Sequence, residues 1–334
     1  MINPDMPKLY KDLAVKIARF FVLSLVFIVL AALVFWGMQW FSHSIGEMFI
    51  GKVSFSGSLE SVVDNVKAEV NTASSQSLSL SPYRNWQVED VSLQTQAAIS
   101  VEIGGGARKV LFHSDEEKKL PIASLTKLMA AKVVLDHYDL SKSVAISEAA
   151  MAQEGEQGML LAGQKLSVND LLYSMLAESS NRAAYALSEL MPPGIFVAIM
   201  NENVRMMGLA NTHFEDATGL GADSYSTAKE LVILTQHLLE HYPLFKKIIS
   251  QQEHDIYFSD GNFHHKAMTT NELLGVNGVI GGKTGFTKDA QGCMMILQTS
   301  QHPGNYVISI VLGAQDRFTQ TKKLMEWVDM AYQW

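Results

Sequence analysis

Residues 120–127 read Leu-Pro-Ile-Ala-Ser-Leu-Thr-Lys, and the last four decide how the rest of the chain is read. Ser124 and Lys127 open a stretch of helical spacing that runs to about Asp136. Residues i and i+3 share one face of a helix, so the lysine amine can approach the serine hydroxyl. A serine alcohol is a poor nucleophile until a neighbouring base takes its proton. A lysine serves as that base when burial or a nearby cation lowers its pKa and leaves some neutral amine. A helix start adds a backbone N–H and a positive dipole end, which suit a developing oxyanion. Alone the motif is weak, because a helix cap followed by a solvated lysine has the same spelling.

Two further motifs follow in order. Ser179-Ser180-Asn181 fits Ser-x-Asn, and Lys283-Thr284-Gly285 fits Lys-Thr-Gly before a strand. Singly, each reads equally well as a turn or a surface strand. Together with Ser124 and Lys127 they form the set used by serine enzymes that make acyl intermediates through a Ser–Lys pair.

The flanking pattern predicts an α+β domain. Ala97–Ile103, a turn at Gly104-Gly105-Gly106, and Lys109–His113 read as a hairpin. The middle is helical: Ser167-Val-Asn-Asp170 resembles a capping box, Phe196–Met207 is periodic with Gly208 as its stop, and Thr227-Ala-Lys-Glu230 opens a helix ending before Pro243. The last third turns to strands. His254–Phe258 and Phe263–Ala267 flank an Asp260-Gly261 turn, and Gly292–Thr299 and Tyr306–Leu312 form a second pair. A closing amphipathic helix runs from Asp316 to about Tyr332. Strands at both ends with helices between them imply an antiparallel sheet assembled from distant segments, flanked by helices, plus a helical subdomain.

Phe20–Phe41 is an uncharged stretch of about 22 residues, long enough as a helix to cross a bilayer. Lys8, Lys11, Lys16 and Arg19 precede it, and Lys52 is the only cation between it and Ser61. That bias predicts a cytoplasmic segment 1–19, a single transmembrane signal anchor 20–41, and everything later outside the cell membrane. No small-x-small cleavage site follows Phe41, as a removable signal peptide would need. Residues 42–95, Ser-rich around 72–82, read as a juxtamembrane segment and linker, with part of 58–70 helical. Residues 96–334 are the expected globular domain. The chain has 334 residues and a net charge of -8, with no basic stripe, so a nucleic-acid partner is disfavoured. The single cysteine, Cys293, excludes an internal disulfide and reads as a buried strand residue.

The sequence resembles the serine D-alanyl-D-alanine carboxypeptidases, the low-molecular-mass penicillin-binding proteins of peptidase family S11. The resemblance covers about Ala97 to Trp327. Besides the three motifs it includes Asn211-Thr-His-Phe214, Thr218-Gly-Leu220, Tyr225-Ser-Thr227, Thr270-Asn271, Gly282-Lys-Thr-Gly-Phe-Thr287, Leu312-Gly-Ala314 and Arg317-Phe318. It implies a DD-peptidase/β-lactamase-like fold, a peptidoglycan stem peptide as substrate, β-lactams as covalent inhibitors, and no metal or cofactor. It implies Ser124 as nucleophile, Lys127 as general base, and Ser179 as the relay toward the leaving amine. Asn181 would hydrogen-bond the substrate backbone and Lys127, Lys283 and Thr284 would hold the terminal carboxylate, and Gly285 and Phe286 are the further substrate-binding positions on that strand. The Ser124 and Phe286 N–H groups would form the oxyanion hole. Family members often carry a C-terminal β domain and an amphipathic anchoring helix. This chain stops at Trp334, so the N-terminal stretch is expected to take over the anchoring.

His237-Leu-Leu-Glu-His241 has the spelling of a zinc-peptidase motif, but no third ligand is identifiable, and it reads as the end of an amphipathic helix. His264-His265 is expected on a hairpin face near the cleft rim, and His213 as a packing residue. Glu215-Asp-Ala-Thr-Gly219 lacks the asparagine of a β-lactamase deacylation loop. Arg182 stands where many members have aspartate. DD-endopeptidase and transpeptidase action use the same residues and stay open, as does a silent peptidoglycan-binding role; so does the oligomeric state.

Overall fold

A computed structural model describes residues 82–334 apart from Gly106 and Glu156. The proposed anchor and residues 42–81 lie outside the described residues. Among the described residues, no helix is long and apolar enough to cross a membrane.

The principal elements are β1 (Ala97–Gly104), β2 (Ala107–Ser114), α1 (Lys127–His137), α2 (Val168–Leu176), α3 (Asn181–Ser188), α4 (Ile195–Met206), α5 (Ala228–His241), α6 (Pro243–Ile249), β3 (Glu253–Tyr257), β4 (Phe263–Met268), β5 (Val279–Thr287), β6 (Gln291–Thr299), β7 (Tyr306–Ala314) and α7 (Arg317–Ala331). One antiparallel sheet of five strands runs β5-β6-β7-β1-β2. The first hairpin therefore inserts beside the last strands, as the separated strand signals predicted. β3 and β4 form their own hairpin over the helical part.

Both faces of the sheet are covered. Period-two alternation splits β6: Cys293, Met295 and Leu297 join the main core, while Met294 and Ile296 face Leu273, Val279 and Met325. Behind β1, β2 and β7, α7 packs Leu324, Trp327 and Val328 on Ala98, Leu111 and Val311. α1 is buried nearly all round through Leu128, Met129, Ala130, Ala131, Val133 and Val134, so it forms the axis between sheet and helices. Cys293 is fully buried, and burial pushes its thiol up to about 11, which keeps it inert.

The caps follow the sequence signals. Ser167 accepts from the Asp170 N–H and donates to its carboxylate. Thr227 accepts from the Glu230 N–H, and Glu230 in turn holds the Asn211 N–H and the Thr212 hydroxyl. Residues 83–93, expected as the end of a linker, are part of the folded unit. Tyr83 and Arg84 pair with Gln333 and Tyr332, and Val88, Val91 and Leu93 pack beside α7.

Candidate active site

Ser124 lies in a one-turn 3-10 helix, Ala123–Thr126, and the α-helix begins only at Lys127. The sequence had placed the nucleophile on the α-helix itself. Ala123 takes a left-handed backbone, φ 47°, which an alanine adopts only under constraint. The tighter turn that follows eclipses positions i and i+3 and so aligns Ser124 with Lys127. Gly219 packs against this turn so closely that a Cβ there would fall 2.0 Å from the Ala123 carbonyl oxygen.

Lys127 is completely buried, with Nζ 2.9 Å from Ser124 Oγ. The amine also lies 2.6 Å from Asn181 Oδ1 and 2.6 Å from the Thr218 carbonyl oxygen. Burial lowers its pKa to about 7, and the nearby Asp216 carboxylate opposes that fall. Asp216 holds the Thr218 loop by accepting from the Thr218, Gly219 and Gly221 N–H groups.

Asn181 sits at the first turn of α3, capped by Ser180, and donates to the Glu154 carbonyl. Ser179 precedes it in a left-handed conformation, φ 65°. Its hydroxyl lies 2.7 Å from Lys283 Nζ, which also donates to the Thr284 carbonyl. Lys283 is buried, and burial together with the Lys127 and Arg317 charges holds its amine well below the usual range. The Thr284 hydroxyl is within 2.6 Å of that of Thr270. Gly285 flanks the nucleophile, while Phe286 is exposed. The structure thus gathers Ser124, Lys127, Ser179, Asn181, Lys283, Thr284 and Gly285 from three separate segments into one cluster.

The sequence missed three contributors. The Thr218 carbonyl and the Asp216 carboxylate carry no local signal of their role, since nothing in the neighbouring residues says where a carbonyl will point. Arg317, equally without a local signal, contributes charge near Lys283.

The remaining candidates fall elsewhere. His237 and His241 stack their rings 4.2 Å apart, and His241 Nδ1 meets the His237 carbonyl. Among the described residues, no group of three His, Cys, Asp or Glu side chains is placed to hold a metal ion. His213 is exposed, with its ring beside Tyr225. The expectation that His264-His265 forms a rim face is corrected for His265. That residue is buried, because the strand alternation of β4 turns it inward onto Glu178. Glu215 accepts from the Asp223 N–H. Arg182 is half-buried and donates to the Leu160 carbonyl.

A buried lysine beside a serine that follows a strained alanine, with a second buried lysine at the Ser179 hydroxyl, defines the class of serine hydrolases that work through a Ser–Lys pair. Comparison with known proteins narrows this. Residues 85–316 match the model of the D-alanyl-D-alanine carboxypeptidases, peptidase S11, and the chain belongs to that family. It is 32% identical over 229 residues to a D-alanyl-D-alanine endopeptidase of Pseudomonas aeruginosa, covering 66% of this chain and 73% of the relative. It is 28% identical over 263 residues to the D-alanyl-D-alanine carboxypeptidase DacF of Bacillus subtilis, covering 74% and 65%. Among solved structures it matches the Streptomyces K15 DD-transpeptidase with a TM-score of 0.66 at 26% identity, over 73% of this chain and all of that one.

Proposed function

We propose that this chain is a serine DD-carboxypeptidase that removes the terminal D-Ala from peptidoglycan stem peptides through an acyl-enzyme on Ser124. The observation that carries the reading is the 2.9 Å approach of a buried, pKa-lowered Lys127 to Ser124 Oγ. Neutral Lys127 takes the hydroxyl proton as Oγ attacks the penultimate D-Ala carbonyl. The backbone N–H groups of Ser124 and Phe286 stabilise the oxyanion. Lys283 and Thr284 receive the terminal carboxylate. The proton passes by way of Ser179 to the departing nitrogen, the C–N bond breaks, and D-Ala leaves. Water, again deprotonated by Lys127, then releases the shortened peptide. In a β-lactam the same attack opens the ring, but the nitrogen stays tethered, so the adduct persists.

Residues 20–41 serve in this reading as an uncleaved membrane anchor, with residues 96–334 as the catalytic domain on the outer side. The charge bias around the apolar stretch supports it. A protease added to intact cells should remove the catalytic domain; its full protection would refute the orientation.

The test of the activity is incubation with a D-Ala-D-Ala pentapeptide and with labelled penicillin. Wild type should release D-Ala and take the label covalently, and Ser124→Ala should do neither. A second reading, DD-endopeptidase on the same site, is favoured by the 32% identity to the Pseudomonas aeruginosa enzyme. Cutting of cross-linked muropeptides without release of free D-Ala would select it.

A further inference from the structure

Behind the Ser179 turn lies a chain of four polar side chains that the proposed mechanism does not use. Gln164 Oε1 is 3.0 Å from His264 Nε2, and His264 Nδ1 is 2.6 Å from His265 Nδ1. His265 Nε2 then lies 3.0 Å and 3.1 Å from the two Glu178 carboxylate oxygens. Glu178 Oε2 also accepts from the Ser174 hydroxyl at 2.8 Å.

Both ends of this chain are acceptors. Gln164 Oε1 is fixed as an acceptor because the Leu161 N–H donates to it at 2.7 Å. The other end is a carboxylate. Three hydrogen bonds joining two imidazoles between two acceptors require three ring protons, and two neutral imidazoles supply two. One ring is therefore an imidazolium. The extra charge belongs on His265, whose Nε2 lies 3.0 Å from the Glu178 carboxylate, whereas His264 meets only the Gln164 amide oxygen; His264 then accepts at Nδ1 and His265 donates from both nitrogens. Burial and the neighbouring His265 charge hold the His264 pKa down, in keeping with its being the neutral member. No other charge faces the pair among these contacts: Lys266, next along β4, turns outward to Glu253 and Asp255.

Ser179 has a left-handed backbone, which is strained for a serine and persists only where its surroundings enforce it. Glu178 is the residue before it. The Ala177 carbonyl accepts from the Thr270 N–H, at the end of the same hairpin that carries His265. We propose that His265 is a positioning residue for the leaving-group step: as an imidazolium bound to Glu178, it locks the turn that presents Ser179 to the departing amine. The inference rests on the DD-peptidase reading.

The proposal separates two substrates. A D-Ala-D-Ala peptide needs a proton on its leaving nitrogen. The matching thioester, in which a thiolate leaves, does not. In His265→Leu and Glu178→Gln, kcat/KM on the peptide should fall by roughly 10–100-fold, as displacement of a proton-transfer group does. On the thioester it should stay within about threefold of wild type. Equal losses on both substrates would mean general damage to the site and would overturn the proposal, as would no loss at all. If His265→Leu fails to fold, the near-isosteric Glu178→Gln decides the matter. Nitrogen NMR of the wild type at neutral pH should show both His265 ring nitrogens protonated; one unprotonated nitrogen overturns the assignment. A wild type that neither takes penicillin label nor releases D-Ala defeats the DD-peptidase reading instead. A wild type that does both, with Glu178→Gln unchanged on the peptide, defeats only the role of His265.

Discussion

Gly285 of β5 passes so close to Ser124 that a Cβ at position 285 would sit 3.0 Å from the Ser124 backbone nitrogen. It would also meet the Ile122 carbonyl oxygen at 3.1 Å and the Ala123 Cβ at 3.2 Å. The glycine of the Lys-Thr-Gly motif is therefore a spacing device: it lets the strand lie against the nucleophile turn.

Gly285→Ala should push strand and turn apart by a few tenths of an ångström. Overpacking of this kind costs about 1–3 kcal/mol. The expected result is a lower Tm together with at least a tenfold (~10×) slower penicillin acylation, since small displacements at a reacting centre are costly. Stopped-flow labelling and a melting curve check both. Wild-type acylation in this variant would show that the close approach is irrelevant to the site.

Lys127 must be neutral to act as base, so acylation should rise with pH through its pKa of about 7. Asp216 raises that pKa, and removing its charge acts in the opposite sense. Asp216→Asn should therefore shift the acid limb of the acylation profile to lower pH. A shift to higher pH would contradict the electrostatic assignment.

The same lysine links stability to pH. Its pKa falls from 10.5 when unfolded to about 7 when folded, so between these values the unfolded chain holds the extra proton. Folding is then disfavoured near pH 7, and the penalty fades as pH rises toward 10.5. Relative to Lys127→Met, wild type should gain about 1.4 kcal/mol per pH unit across that window. Urea unfolding of both proteins at two pH values measures the gap; a gap independent of pH would mean that Lys127 is charged in the folded state.

Lys283 reaches the Ser179 hydroxyl, and beside it and Thr284 the substrate carboxylate is proposed to bind. A hydrogen bond to a charged group contributes about 1.5–3 kcal/mol. Lys283→Gln should lower kcat/KM for a D-Ala-D-Ala peptide by roughly 10–150-fold. A substrate with an amidated C-terminus should already be poor and lose little more. Equal losses on both would place the carboxylate elsewhere.

Much of this was legible beforehand. The hairpin at 97–113, the capped helices, the paired strands of the last third and α7 all follow from local rules: alternation, periodicity, Asp-Gly turns and caps. Motif order, which spans the chain, singled out Ser124, Lys127, Ser179, Asn181, Lys283 and Thr284 jointly, and the fold brings Lys127 to Ser124 and Asn181, and Lys283 to Ser179. The misplaced features depend on partners distant in sequence. Residues 83–93 spell a linker, yet they pack because Tyr332 and α7 return to meet them. His265 spells a surface hairpin residue, yet it is buried because Glu178 lies beneath it.

By itself, then, the chain of residues determined which groups are available and which segments form strands or helices, since both are set by neighbours within a few positions. Tertiary structure alone decided that Lys127 would be stripped of solvent, that the Thr218 carbonyl would turn to it, and that Gly285 would touch Ser124. Desolvation and contact are properties of what surrounds a group, and here the surroundings come from segments up to about 160 residues away in the sequence.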